Sequence, residues 1–252
     1  MNKRTSSELK RIIGIAVFSA MAFVVSLTVR VPVQFLTFDA KDAFICIASF
    51  IYGPLAAVAI SFIAAFLEFI TISSTGMWGL LMNFLSSAAF SFTASYVYSR
   101  HKTLNYAIIG LYTAVIVTTC TMLILNVFVT PLYLGAPREA VIELLPGLLL
   151  PFNLAKALVN GAIVMIIYKP ISVALRRAKL IDSYKPKHIY SHVPPAEGHN
   201  DALVKEPVNL AATPAADSSA LPSFVFNKGT VITLVLGAIT VAAGVLIFVL
   251  IS

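Results

Sequence analysis

Long apolar runs separated by short polar joints set the pattern of this chain. Residues 12–29, 55–72, 79–99, 106–129 and 147–175 each read as a membrane-crossing helix, because about 20 apolar residues span the hydrocarbon core. Residues 43–52, closed by Gly53-Pro54, form a shorter run. As a helix it reaches only about 15 Å at 1.5 Å per residue, so it predicts a re-entrant piece or a preceding loop that dips into the membrane. Pro54 suits the first turn of the next helix, where its missing N–H costs nothing. The joints are residues 31–42 (VPVQFLTFDAKD), read as a loop with apolar tips, residues 73–78, read as a turn, and residues 130–146, read as a loop. A signal peptide is a rival reading of the first run, with Ala20-Met21-Ala22 as the cleavage site. The run continues well past that point and so reads as a retained helix.

The pattern changes after residue 180. Residues 181–226 hold Pro186, Pro194, Pro195, Pro207, Pro214 and Pro222, with His188, His192 and His199, and show little aliphatic periodicity. Nothing there can bury a core, so the segment reads as a flexible linker. Residues 230–251 are a seventh apolar run, rich in small and β-branched side chains. The predicted organisation is a six-helix membrane domain at 1–180, a cytoplasmic linker at 181–228 and an added helix at 229–252. The fold class is an all-α membrane protein, a six-helix transmembrane bundle with an additional C-terminal transmembrane helix.

Composition narrows the function classes. The chain is 59% hydrophobic and 12% charged, with mean hydropathy +0.91, against about 25% charged residues in a soluble domain. That excludes a cytosolic enzyme. Cys46 and Cys120 lie inside apolar runs, so the chain is no disulfide scaffold. The net charge of +7 does not mark a nucleic-acid binder, because the basic residues flank the apolar segments. Lys3, Arg4, Lys10, Arg11, Arg100, Lys102, Lys169 and the basic tail after residue 175 fall on one side. Arg30, Lys41, Arg138 and Lys156 fall on the other. The positive-inside rule then places the N-terminus in the cytoplasm.

Polar groups within apolar sequence collect toward the outer side. Asn126 sits near the outer end of the fifth segment. Asn153, Lys156 and Asn160 follow at spacings of three and four, which at 100° per residue confines them to about 60° of arc. A lysine in a membrane segment is costly and usually faces a cavity or a partner. Two turns into its helix and beside two asparagines, Lys156 reads as inward-facing rather than snorkelling to the interface. Glu68 could neutralise it across the bundle. Asn83, Ser87, Ser91, Ser95 and Ser99 recur every four residues; most of that stripe reads as close helix packing, with Asn83 alone near enough to reach an outer cavity. Trp78 reads as an interface-belt aromatic or part of a lid. Asp39 and Asp42, beside Phe35, Leu36 and Phe38, suit a gate or capping role as well as an acid–base pair. Ala16 and Ala20 form a small-xxx-small pair that matters only if another membrane subunit docks there. The sequence has no Walker P-loop, His-Glu-x-x-His run, Gly-x-Ser-x-Gly elbow or CxxC, so no enzymatic activity and no cofactor are expected.

The stretches LTFDAKDAFICIASFIYGP, AFLEFITISSTGMWGLLMNFLSSAAF, LNVFVTPLY and LLPFNLAKALVNGAIV resemble the riboflavin-specific substrate-binding (S) components, RibU type, of energy-coupling factor (ECF) transporters. The likeness covers roughly residues 10–177, with the motifs in the family's order. It implies a six-helix bundle in a bacterial plasma membrane that takes riboflavin from outside as a transported substrate. It also implies docking on an energising module of one transmembrane scaffold subunit and two ATPase subunits. Carried over, Asn126 and Lys156 match positions expected to address the flavin ring, with Asn153 and Asn83 as neighbours; Asn160, on the same helical face, joins them as a candidate by spacing. Thr37, Phe38 and Asp39 match the loop that closes over it, and Ala16 and Ala20 match an alanine motif that meets the scaffold subunit. The family does not generally carry the seventh helix or so long a linker.

The residue chemistry suits that ligand. Riboflavin is neutral, flat and aromatic, with a pyrimidine-like edge that asparagine amides and a lysine can match, while Phe38 and Tyr133 can cover the ring. A phosphorylated flavin such as FMN calls for several cations, and one lysine lies within the bundle. Alternative readings are an S component for FMN or another vitamin, or a solitary ion-coupled transporter in which Glu68 and Lys156 form a proton-coupled pair. No internal repeat or pair of broken helices favours the latter.

Overall fold

A helix that is apolar on every side has no face to offer water and belongs inside a bundle. In the computed structural model, which describes residues 3–177, α2 (Lys41–Tyr52) takes that place. Ala43, Ile45, Cys46, Ile47 and Ala48 are completely buried, enclosed by α1 (Lys3–Thr28), α3 (Pro54–Thr71), α4 (Gly76–His101) and α7 (Leu150–Arg177). Between α4 and α7 the chain runs through α5 (Leu104–Leu134), the short α6 (Arg138–Leu144) and a π-helical turn at Leu145–Leu149. The linker expected at 181–228, its three histidines and the helix expected at 229–252 lie outside the described residues.

Five helical stretches among the described residues are long and apolar enough to cross a membrane: Glu8–Thr28, Pro54–Thr71, Gly76–His101, Leu104–Leu134 and Arg138–Tyr168. The last treats α6, the π turn and α7 as one continuous run. With 12 residues, α2 reaches only about 18 Å, too short to span by itself. Leu55, Ile70, Ile116, Ile124, Phe128 and Leu132 are exposed on the outside of the bundle, an apolar belt of the kind lipid covers.

Two devices hold α2 in the centre. Gly53 turns the chain at φ 95°, a conformation that favours glycine, so that α3 can start at once with Pro54 in its first turn. The serine stripe of α4 is more than a smooth packing face. Ser87 bonds the Asp42 carboxylate, Ser95 Oγ donates to Ser49 O at 2.7 Å, and Ser49 Oγ returns a bond to Ser91 O at 3.2 Å. The far side of α4 meets α5 so closely that a Cβ on Gly110 would lie 2.7 Å from the Ala94 carbonyl oxygen.

Two joints differ from the sequence expectation. Residues 31–42 do not form an open loop: β1 (Arg30–Val33) and β2 (Leu36–Asp39) make an antiparallel hairpin, with Val31 opposite Phe38 and Pro32 opposite Thr37. The turn is only Gln34-Phe35, with Gln34 at φ 52°. It lacks the glycine or asparagine that usually announces such a turn, and Pro32 argues against a strand. Residues 130–146 are mostly helical. Pro131 sits inside α5, which ends at Gly135, and α6 begins at Arg138. A proline inside a membrane helix is tolerated where neighbouring groups re-satisfy the backbone, so it did not mark the end here.

Candidate functional site

The hairpin sits over the end of the bundle where α1, α3 and α5 finish and α4 and α7 begin, and beneath it lies a cavity of about 110 Å³. Phe35, Leu36, Thr37 and Asp39 of the hairpin line it, with Glu68 of α3, Ser73–Thr75 of the following turn and Met82 and Asn83 of α4. Met122 and Tyr133 of α5 and Phe152, Asn153 and Lys156 of α7 add to the wall, as do Ser26, Arg30, Ile72, Gly79 and Ser86. Apolar sides with a few converging polar groups are what small-molecule sites look like, though such pockets usually hold about 300–1,000 Å³. One of the hairpin's ties is an exposed bond, Arg30 Nη1 to Ile72 O at 3.3 Å.

A chain of buried charges crosses the cavity floor. Lys156 Nζ lies 2.9 Å from Asp39 Oδ2 and also reaches Thr37 O at 3.5 Å. Lys41 Nζ is 3.7 Å from the same Asp39 oxygen and donates to both Glu68 oxygens at 2.7 Å. Asn83 Nδ2 closes the series on Glu68 Oε2 at 3.0 Å. Asn160 clamps the joint between hairpin and α2. Its Oδ1 accepts from Ala43 N at 2.9 Å, and its Nδ2 donates to Asp39 O and Lys156 O, each at 3.0 Å. Burial pushes the Asp39 carboxyl up, but Lys156 and Lys41 beside it bring it below its ordinary value of 3.8. Buried ions persist only when paired and hydrogen-bonded, and here every member has a partner.

Of the residues expected from sequence, Lys156, Asn153, Asn83, Glu68, Thr37, Asp39 and Tyr133 come together in the cavity wall. Lys156 is 8% exposed and points inward, as its neighbouring asparagines implied. Its partner is Asp39, whereas Glu68, the partner expected, is held by Lys41 and Asn83. Asn160 lies behind the wall as the clamp just described. Asn126 is also behind it, fully buried, donating to Met122 O at 2.7 Å and accepting from Thr130 Oγ1 at 2.8 Å. It thereby backs Met122 and Tyr133, both of which reach the cavity; the Tyr133 hydroxyl stands 3.4 Å from Thr130 Oγ1. Phe38 is half-buried on β2 but outside the lining, where Phe35 and Leu36 take the covering role. Asp42 is engaged by Ser87, and Trp78 is exposed outside the cavity lining. Ala16 and Ala20 are exposed on α1 beside Val17 and Met21.

Sequence reasoning passed over Lys41, which reads as a solvated loop charge yet is only 1% exposed. It also passed over Phe152, which a helical count from Lys156 (i, i−4) would have placed on the same face.

Comparison with known proteins identifies the family. Residues 10–172 match the family described as ECF transporter, substrate-specific component. The chain is 30% identical over 185 residues to the riboflavin transporter RibU of Staphylococcus aureus (strain TCH60), covering 69% of this chain and 97% of that protein. It is 26% identical over 196 residues to the riboflavin transporter FmnP of Bacillus subtilis (strain 168), covering 73% and 100%. A solved S component of a bacterial ECF transporter superposes with TM-score 0.58 at 30% identity, covering 68% of this chain and 99% of that one. Family match, sequence identity and fold likeness lead to one conclusion: the chain belongs to the substrate-specific components of ECF transporters.

Proposed function

We propose that this chain captures riboflavin at the outer face of a bacterial plasma membrane and presents it for ATP-driven uptake by partner subunits. The observation that carries the reading is the cavity under the hairpin, with one inward lysine, two asparagine side chains within reach or adjoining, and aromatic cover from Phe35, Tyr133 and Phe152. Lys156 donates to a ring carbonyl, and Asn153 and Asn83 match the remaining edge of the pyrimidine-like ring. The relatives named RibU and FmnP are riboflavin transporters, which favours this ligand among vitamins. With the N-terminus cytoplasmic, as the distribution of basic residues favours, the hairpin end faces outward. We count α2 as the short central member and α6–α7 as one interrupted helix, giving a six-helix bundle. The exposed alanine face of α1 is our docking surface for the transmembrane scaffold subunit, with two ATPase subunits behind it.

Phosphorylated flavins fit less well. Asp39 and Glu68 both face the cavity, so a phosphate dianion meets two carboxylates there, and the further cation of the lining, Arg30, is turned to Ile72 O. The test is titration of the full chain, purified in detergent, with riboflavin and with FMN, followed by quenching of flavin fluorescence. Saturable riboflavin binding is expected, with FMN weaker by at least about tenfold (1.4 kcal/mol) and Lys156→Ala weakened to a similar degree. A protein that leaves riboflavin fluorescence untouched would sink the proposal, and equal affinities would remove the preference for the unphosphorylated vitamin.

A further inference from the structure

We infer that Lys41 is a positioning residue for ligand capture: it keeps Asp39 balanced when the Lys156 ammonium leaves that carboxylate for a ligand carbonyl. The inference rests on the reading that Lys156 addresses the ligand.

Lys156 is not idle beneath the hairpin. Its ammonium is 2.9 Å from Asp39 Oδ2, and binding through Lys156 takes that cation away from a carboxylate that is 4% exposed. A buried ion pair broken on one side leaves an uncompensated charge, a large penalty that would work against any ligand. The structure supplies a second cation at the same oxygen. Lys41 Nζ stands 3.7 Å from Asp39 Oδ2, and the Lys41 backbone N–H donates to the other oxygen, Oδ1, at 3.3 Å. A short swing of the Lys41 side-chain end toward Asp39 completes the pair. Glu68, which Lys41 partly releases in that movement, retains the Asn83 amide at 3.0 Å. The Asp39 main chain stays fixed throughout, because Asn160 Nδ2 holds its carbonyl.

Lys41 does not itself line the cavity, whereas Asp39, Glu68, Asn83 and Lys156 do. Its effect on the ligand must therefore pass through Asp39. This makes the order of charges along the floor meaningful: two carboxylates and two ammonium groups alternate, so one ammonium can be lent to a ligand while the other serves the centre of the row.

A double-mutant cycle read by riboflavin fluorescence quenching on the full chain in detergent tests this. Lys41→Met is combined with Glu68→Gln, so that an unpaired Glu68 is not the cause of any effect, and the neutral pair is introduced with Asp39 intact and with Asp39→Asn. The expected result is that the neutral pair weakens riboflavin at least about tenfold when Asp39 is present. The same pair changes the affinity less than about twofold when Asp39 is already neutral, because coupled residues show such non-additivity and independent ones do not. Equal weakening in both backgrounds, as a packing role for the Lys41 stem would give, overturns the inference. Should the methionine variant fail to purify as a monodisperse protein, Lys41→Gln with Glu68→Gln keeps volume and hydrogen bonding and carries the same two expectations. Lys156→Met separates the two levels of the argument. If it binds riboflavin normally, the role of Lys156 falls and takes Lys41's with it. If it loses binding while the cycle shows no coupling, only the role of Lys41 falls.

Discussion

At Asp39, burial and two neighbouring ammonium groups pull one carboxyl in opposite directions, and the cations prevail. The sign of the pH dependence follows. A group whose folded pKa lies below its unfolded value contributes stability that is fully present above the unfolded value and is lost as pH falls through the folded one. With an ordinary value of 3.8 and a folded value beneath it, the Asp39 contribution holds from neutral pH down to about pH 4 and fails only below. Thermal unfolding in detergent should show that shoulder in the native chain, and Asp39→Asn should be destabilised at neutral pH and lack it. A variant with an unchanged acid limb would mean that Asp39 is not the group responsible. The sequence made part of this legible. Asn153, Lys156 and Asn160 fall on one helical face by spacing alone. Lys41 escaped because a lysine between two aspartates in a short polar joint looks solvated; its burial depends on α3 and α4, distant in sequence, arriving with Glu68 and Asn83.

Elements were readable in proportion to their length. The five long apolar runs announce themselves, since only helices satisfy their backbone in lipid over such distances. The hairpin did not, because Gln34-Phe35 and Pro32 give no local sign of pairing; its register depends on what packs beneath it. The residue-130 joint misled for the opposite reason, with prolines suggesting breaks that the surrounding helices absorb. Close packing offers a sharper test at this scale. An added Cβ at Gly110 would press within 2.7 Å of the Ala94 carbonyl oxygen and 3.3 Å of Val97 Cβ, so Gly110→Ala should separate α4 from α5 and cost about 1–3 kcal/mol. At Gly161 the nearest heavy atom to an added Cβ is 3.9 Å away, and Gly161→Ala should be neutral or stabilising by up to about 1 kcal/mol. Melting temperatures of the two variants, compared with the native chain, would refute the contact argument if they shifted alike.

For the whole molecule, the cavity end and the outward-looking face of α1 are separate surfaces, and they should fail separately. Ala16→Trp adds bulk on the exposed side of α1, away from the cavity lining. In cells supplied with the energising subunits it should impair riboflavin uptake severalfold while purified protein binds riboflavin as before. Normal uptake would remove α1 from the docking surface; lost binding would show that α1 supports the site.

The position of α2 has a further consequence. Its buried core occupies the axis of the bundle directly below the ligand cavity, a rod of interlocked side chains about 18 Å deep with no exposed surface along Ala43 and Ile45–Ala48. It acts as a stopper. Among the described residues, the packed segment leaves a solute lodged under the hairpin no open way past α2. Moving cargo to the other leaflet would then require this packed centre to rearrange rather than a solute to slip past it.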